Sequence, residues 1–362
     1  MLGLISTKRQ QFAQRNDIAS PTPLAAAFER APMNVQEPYL VTGASGFAGG
    51  HLVRHLLAQG VPVRAMVRDA AKGEALAAAG AEVVVADLAQ PEPLAETVKG
   101  VAGVYHIAGL FRQQGVPDSA FYDVNVEGTR RLLESAGSEG VCRFVHCSTV
   151  GVLGHVSSPP ADEETPYNPG DVYQRTKMEG EKLALAFFRE GKMPGVVIRP
   201  AMIYGPGDQR TLKIFRMIAR RRFFYVGSGD AYVHWVDVRD LARAFQLAME
   251  QADGSGEVYI IAGAKAVPLR EMAEEAARQL GVGAPWIRVP VRPMQWAGSC
   301  CEAICRPLGI EPPLYRRRVD FFTKSRWFDG SKAGRDLGFT PSQDLSGEIA
   351  DIIASYREDG HL

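Results

Sequence analysis

Tyr39-Leu40-Val41-Thr42-Gly43-Ala44-Ser45-Gly46-Phe47-Ala48-Gly49-Gly50 is an apolar strand that runs straight into a glycine turn. Leu52, Val53, Leu56 and Leu57 follow at helical spacing, and the pattern closes at Gly60. Strand, glycine turn and helix in that order form a phosphate cradle. Gly43 permits the tight turn, Gly46 lets the backbone approach a pyrophosphate, and Gly49 lets helix and strand pack closely. Ser45 and Phe47 complete the loop, and the phosphate charge falls on the helix N-terminus. Without the flanking strand and helix, three glycines would indicate only a flexible loop.

Outward from this turn, strands alternate with helices. Val61 to Val67, Glu82 to Leu88, Gly103 to Gly109, Arg143 to Thr149 and Gly195 to Pro200 read as further strands. The series implies an α/β fold, a Rossmann-type doubly wound parallel sheet with a smaller C-terminal substrate domain. Arg68 and Asp69 end the second strand, where such a fold meets the adenosine ribose. A carboxylate there accepts from both ribose hydroxyls, whereas an arginine pairs with a 2'-phosphate. Arg68 comes first and Lys72 adds charge, which favours NADP and leaves NAD open. Asp87 and Leu88 are expected to close over the adenine. The loop at Ala108-Gly109 and the strand end at Pro200 are expected to pass beside the cofactor.

The chemistry lies further along. Cys147-Ser148-Thr149 puts two hydroxyls at the carboxyl end of the fifth strand, where open sheets bind ligands. Tyr173 and Lys177 share one face of a helix, so a lysine ammonium is expected to draw the tyrosine's pKa toward working pH. Tyr173 then exchanges a proton with a substrate oxygen that a hydroxyl polarises. Asn125, polar within an apolar helical pattern, is either a satisfied buried amide or part of a proton path.

Composition narrows the class. The chain has 362 residues, 46% of them hydrophobic, enough to bury a sizeable core. Its 41 Lys plus Arg balance 41 Asp plus Glu, so no overall field draws it to nucleic acid or an anionic membrane, and small-molecule partners fit better. Apolar runs are broken by charge well before the roughly 18 residues of a transmembrane helix. Five cysteines without Cys-x2-Cys spacing read as reduced thiols of a cytoplasmic protein. Residues 1–35 carry Lys8, Arg9, Arg15 and Arg30 and a Ser-Pro-Thr-Pro run, and read as a disordered extension. A targeting peptide is the weaker reading, and Met33 is the expected start of translation. His51 and His55 are four apart, but no third ligand accompanies them, so packing roles are expected and no metal.

The chain resembles the extended short-chain dehydrogenase/reductase family, which includes nucleotide-sugar epimerases and dehydratases, 3-beta-hydroxysteroid dehydrogenases and dihydroflavonol reductases. The matching residues are 41–50, Asn-Val-Glu-Gly-Thr at 125–129, Ser148-Thr149, Tyr173 with Lys177, and Arg199-Pro-Ala-Met-Ile-Tyr-Gly-Pro-Gly-Asp at 199–208. The resemblance implies a Ser/Thr, Tyr, Lys catalytic group, a nicotinamide dinucleotide and a homodimer through the helices beside Asn125 and Tyr173. Counting back from Gly154, Thr149 rather than Ser148 falls at the family's catalytic hydroxyl. Gly109 stands where sugar epimerases often carry a second alanine.

It also implies interleaved domains. Residues 36–200 with 237–262 bind the dinucleotide, while 201–236 and 263–362 bind substrate. In the latter, Met294, Trp296, Ala297, Cys300, Cys301, Ile304 and Cys305 have helical spacing and read as core. Arg316, Arg317, Arg318 and Arg326, interleaved with aromatics, suit either a nucleotide diphosphate or a flat apolar pocket, with similarity to the hydroxysteroid side. The reading that follows is NADP- or NAD-dependent hydride transfer at a secondary alcohol or ketone. A nucleotide-sugar 4-epimerase is the alternative enzyme, and a dinucleotide-binding sensor the alternative without catalysis.

Overall fold

The computed structural model describes residues 36–362 apart from 91, 114, 306–318, 320 and 321. The readings of residues 1–35 and of Arg316, Arg317 and Arg318 lie outside the described residues.

Seven strands form one parallel sheet: β1 (Tyr39–Thr42), β2 (Val63–Val67), β3 (Glu82–Val85), β4 (Gly103–His106), β5 (Arg143–Cys147), β6 (Gly195–Pro200) and, far later in the chain, β11 (Ser255–Ile261). Their spatial order is β11-β6-β5-β4-β1-β2-β3, every neighbouring pair parallel. The strands are apolar on both faces because both are covered. Tyr39, Val41, Val145, Val196 and Ile198 pack to one side, where helices α1 (Phe47–Ala58) and α8 (Val238–Gln251) contribute Leu52, Leu56, Leu241 and Phe245. Leu40, Phe144 and Val197 alternate to the other side. There they meet Leu94 of α3 (Glu92–Val98), Leu132 of α5 (Gly128–Ser138) and Leu185 of α6 (Val172–Arg189).

Helices α2 (Glu74–Ala78) and α4 (Asp118–Tyr122) belong to the same half of the chain. The remaining strands are short: β7 (Met202–Tyr204), β8 (Tyr225–Val226), β9 (Tyr232–Val233), β10 (Trp235–Asp237), β12 (Val267–Pro268) and β13 (Arg288–Val289). With α7 (Leu212–Ala219), α9 (Leu269–Gln279) and the final helix Leu345–Glu358, they build a separate core around Phe215, Tyr225, Trp235, Met272 and Ile352. Ala333, Leu337 and Phe339 join the sheet's own cluster instead.

The order of strands reverses between β1 and β4, and the loops after these two strands touch. Gly43 has φ +69°, and a Cβ there would lie 2.8 Å from the Ala108 nitrogen. Such a switch point is where open parallel sheets take ligands.

One expectation fails. The apolar stripe at 294–305 does form helix α10 (Val291–Cys305), but Trp296 is 77% exposed, and Ala297 and Cys300 are exposed too. The helix is anchored at its start, where β13 pairs with β8 and Val291 lies beside Gly227. Helical spacing shows that one face is apolar; it does not show that anything covers it.

Candidate active site

The cradle fits a diphosphate. Gly46 is the N-cap of α1 and offers no side-chain cap, leaving first-turn amides for a ligand. A Cβ on Gly49 would fall 2.2 Å from the Gly43 carbonyl oxygen, so the close approach of turn and helix requires glycine there. Ser45 and Gly46 are exposed, while Phe47 is half-buried under the Arg210 guanidinium, 5.2 Å from its ring centre. Arg68 is exposed immediately after β2, and Asp69 caps the next turn by accepting from the Ala71 amide at 3.1 Å. Asp87 accepts from the Ala89 amide, Leu88 is buried against Gly128, and Pro200 is buried at the end of β6.

A directed chain of hydrogen bonds ties the β1 and β4 loops to the helix layer. The Ala108 amide donates to Thr42 Oγ1 (3.1 Å), which is hydrogen-bonded to His106 Nδ1 (2.9 Å). His106 Nε2 must then carry the hydrogen for Thr129 Oγ1 (3.0 Å), which donates onward to the Asn125 carbonyl (2.9 Å). In the neutral ring Nδ1 then accepts from the Thr42 hydroxyl. Burial, and secondarily the Lys177 charge, lower the His106 pKa to about 3.

Asn125 lies in a wide helical turn, Asp123–Glu127, between α4 and α5. Its Oδ1 accepts from the Leu110 amide (2.7 Å), and its Nδ2 donates to the Leu110 carbonyl (3.2 Å) and Thr176 Oγ1 (3.0 Å). The amide is therefore satisfied and fixes the loop after β4.

Asp171 starts α6 by accepting from the Gln174 amide at 2.7 Å, which sets the phase of the helix. Tyr173 is half-buried on its first turn, and Lys177 is buried one turn later. Thr149 caps the turn after β5, accepting from the Gly151 amide at 3.0 Å, and its hydroxyl favours the Tyr173 phenolate. Thr149, Tyr173 and Lys177 are thus assembled at the carboxyl end of β5, beside the Ala108-Gly109 loop.

The electrostatics differ from the expectation. Burial pushes the Tyr173 phenol up to about 12, and Arg112 is the cation that counters it. Lys177 Nζ donates instead to the Cys147 carbonyl at 2.7 Å, and burial lowers its own pKa against the pull of Glu181.

Ser148 is turned away, donating to Glu181. Glu181 is wholly buried on α6 and also accepts from Tyr167 (2.7 Å) and from Arg199 Nη2 of β6 (2.6 Å). Arg199 donates further to the Glu163 carbonyl at 3.0 Å. His51 and His55 bond Pro206 and Gln246, and no metal-binding group of His, Cys, Asp and Glu occurs among the described residues.

A glycine turn lies at the switch point, with a hydroxyl, a phenol and an ammonium gathered beside it, the arrangement expected of a nicotinamide dinucleotide-dependent enzyme. The family model for NAD dependent epimerase/dehydratase matches residues 39–262, and the chain belongs to that family, within the extended short-chain dehydrogenase/reductases. Sterol demethylase protein B of Methylococcus capsulatus is 30% identical over 89% of this chain and 99% of its own length. The 3-beta-hydroxysteroid dehydrogenase of Mycolicibacterium neoaurum is 30% identical over 88% of this chain and 91% of that protein. The structure of MoeE5 in complex with UDP-glucose and NAD superposes with TM-score 0.68 at 27% identity, covering 89% of this chain and 99% of that one. The protein is an NAD(P)-dependent oxidoreductase.

Proposed function

We propose that this enzyme exchanges hydride between NAD(P) and a secondary alcohol or ketone on an apolar body, releasing its cofactor each turnover. The common placement of the three side chains carries the assignment of roles: Thr149 caps the end of β5, and Lys177, one helical turn after Tyr173, donates to the Cys147 carbonyl of that same strand end. Thr149 orients the substrate oxygen, Tyr173 takes or gives its proton, and Lys177 fixes the β5 end through Cys147. When bound, the nicotinamide supplies or accepts the hydride. Gly43, Ser45, Gly46, Phe47 and Gly49 cradle the diphosphate, and the exposed Arg68 favours NADP over NAD. Asp87 and Leu88 flank the adenine, while Ala108, Gly109 and Pro200 flank the nicotinamide ribose.

Two relatives named for sterol chemistry support an apolar substrate. MoeE5, solved with UDP-glucose, supports a nucleotide-sugar reading as the second choice. A purified epimerase would convert its sugar without added nicotinamide, whereas the dehydrogenase consumes it stoichiometrically. We further propose a homodimer through α5 and α6, checked by light scattering. A cytoplasmic location is supported by five unpaired thiols and by the lack, among the described residues, of any helix long and apolar enough to cross a membrane.

The direct test is Tyr173→Phe. Its kcat should fall by about 10²–10⁴ with dinucleotide affinity retained, the range for loss of a general acid-base group. Full turnover by this variant would sink the mechanism.

A further inference from the structure

We propose that Arg112 is the positioning residue that readies Tyr173 for proton exchange, the task that helical spacing assigned to Lys177. The inference deepens the dehydrogenase reading above, on which the role of Tyr173 rests. The loop after β4 is held where it passes the reacting group: Asn125 accepts from the Leu110 amide at 2.7 Å and donates to the Leu110 carbonyl at 3.2 Å. With both backbone groups of Leu110 engaged, the next two side chains reach α6. Phe111 meets the Tyr173 ring edge to face, centroids 5.0 Å apart. Arg112 places its guanidinium carbon 5.2 Å from the centre of that same ring and 5.5 Å from the centre of Phe111. Asp171 pairs with Arg112 Nη2 at 3.3 Å, and its other oxygen caps the start of α6.

A cation over a ring face is drawn to the ring's negative quadrupole, and more strongly once the ring carries a phenolate charge. Arg112 therefore stabilises the deprotonated form of Tyr173 over the protonated one. Lys177, one turn along α6, serves another end: its Nζ donates to the Cys147 carbonyl at 2.7 Å and ties the helix to the end of β5. The groups facing the phenol divide accordingly. Burial is the largest influence and disfavours the phenolate, with Cys147 of β5 and Asp171 at the start of α6 acting the same way. Arg112 is the foremost group opposing them, followed by the Thr149 hydroxyl. Arginine suits the place because its guanidinium stacks on aromatic faces and stays charged at every working pH, whereas a buried lysine readily loses its proton. Lys177 shows that tendency, since burial lowers its pKa.

The test replaces Tyr173 by 3,5-difluorotyrosine in the full chain and follows the fluorine resonance with pH, the more acidic phenol bringing the titration inside the range where the fold is stable. Arg112→Gln should raise the midpoint by about one pH unit, the scale of one partly exposed charge beside an ionising group. Arg112→Lys should recover part of that shift, and Asp171→Asn, which keeps the helix cap, should lower the midpoint. A purely structural role would lower the urea midpoint of Arg112→Gln and leave its fluorine titration unmoved, which would overturn the inference. A larger upward shift in Lys177→Met than in Arg112→Gln would overturn it as well. With tyrosine at 173, Arg112→Gln should move the rising limb of kcat against pH upward by about the same unit, read on cyclohexanol and a neutral 3β-hydroxysteroid with NAD and NADP. A limb that stays in place counts against the inference as an unmoved titration does. If neither alcohol reduces either dinucleotide, the dehydrogenase reading fails for them, while the fluorine titration still decides the role of Arg112.

Discussion

Around α6 the molecule buries charged and polar groups, whereas along residues 286–305 it leaves large aromatic ones in water. Lys177, Asn125, Glu181, Arg199, His106 and His146 are all buried near the carboxyl ends of β4, β5 and β6. Trp286 is 83% exposed and Trp296 77%, with Ile287 exposed between them. In the first region the backbone geometry is over-determined, because helix, loop and strand are cross-linked by directed hydrogen bonds. In the second, β13 and the start of α10 are anchored, and Trp296 beyond them stays exposed. The contrast separates a region held fixed by buried polar contacts, where the proposed reacting groups lie, from one whose large side chains stay exposed.

The sharpest way to break this contrast is Glu181→Ala. It removes the acceptor shared by Ser148, Tyr167 and Arg199 and strands a buried guanidinium. Breaking one side of a buried pair costs about 3–5 kcal/mol, so urea unfolding should show a loss of that size. A loss below about 1 kcal/mol would mean that the network is not what fixes the β5 end.

This network also marks the limit of what the sequence reveals. The positions of the glycine turn, Thr149, Tyr173 and Lys177 are legible because the turn is local and each residue proposed to be catalytic sits at a strand end or one helical turn from its partner. Glu181 lies one turn beyond Lys177 and carries the same helical signal, but its partners come from β6 and from loops at 148 and 167, distances that no spacing encodes. His106 likewise looks like an ordinary strand residue until Thr42 and Thr129 are brought to its two nitrogens. Arg112 has no motif at all, and only the fold sets it over Tyr173. The stripe at 294–305 failed for the opposite reason: its period was clear, but burial depends on a partner surface that periodicity does not report.

A smaller effect concerns pH. His106 and His146 face each other with centroids 5.3 Å apart, and neither nitrogen of His146 has a partner among the described residues. Burial lowers both folded-state values, that of His106 to about 3 and that of His146 well below the ordinary 6.5. The unfolded chain therefore takes up protons that the folded one refuses. The stability these groups contribute is intact above 6.5 and drains as the pH falls toward 3, by up to about 1.4 kcal/mol per pH unit for each histidine. His146→Leu should flatten the dependence by one proton's worth between pH 6 and 4 in urea titrations. An unchanged slope would show that His146 is protonated in the folded state.

The smallest expected effect belongs to the exposed segment. Trp296→Ser removes a large ring that already stands mostly in water, so the folded and unfolded chains lose nearly the same contacts with it. Surface changes of this kind shift stability by within about 0.5 kcal/mol, and the urea midpoint should stay at the native value. A loss of about 2 kcal/mol or more, the range for a buried aromatic side chain, would place Trp296 against a partner surface in solution and erase the difference between the two regions. The ratio of the Glu181→Ala and Trp296→Ser effects thus measures that difference directly: a ratio well above one requires that the buried network, and not the exposed segment, carries stability.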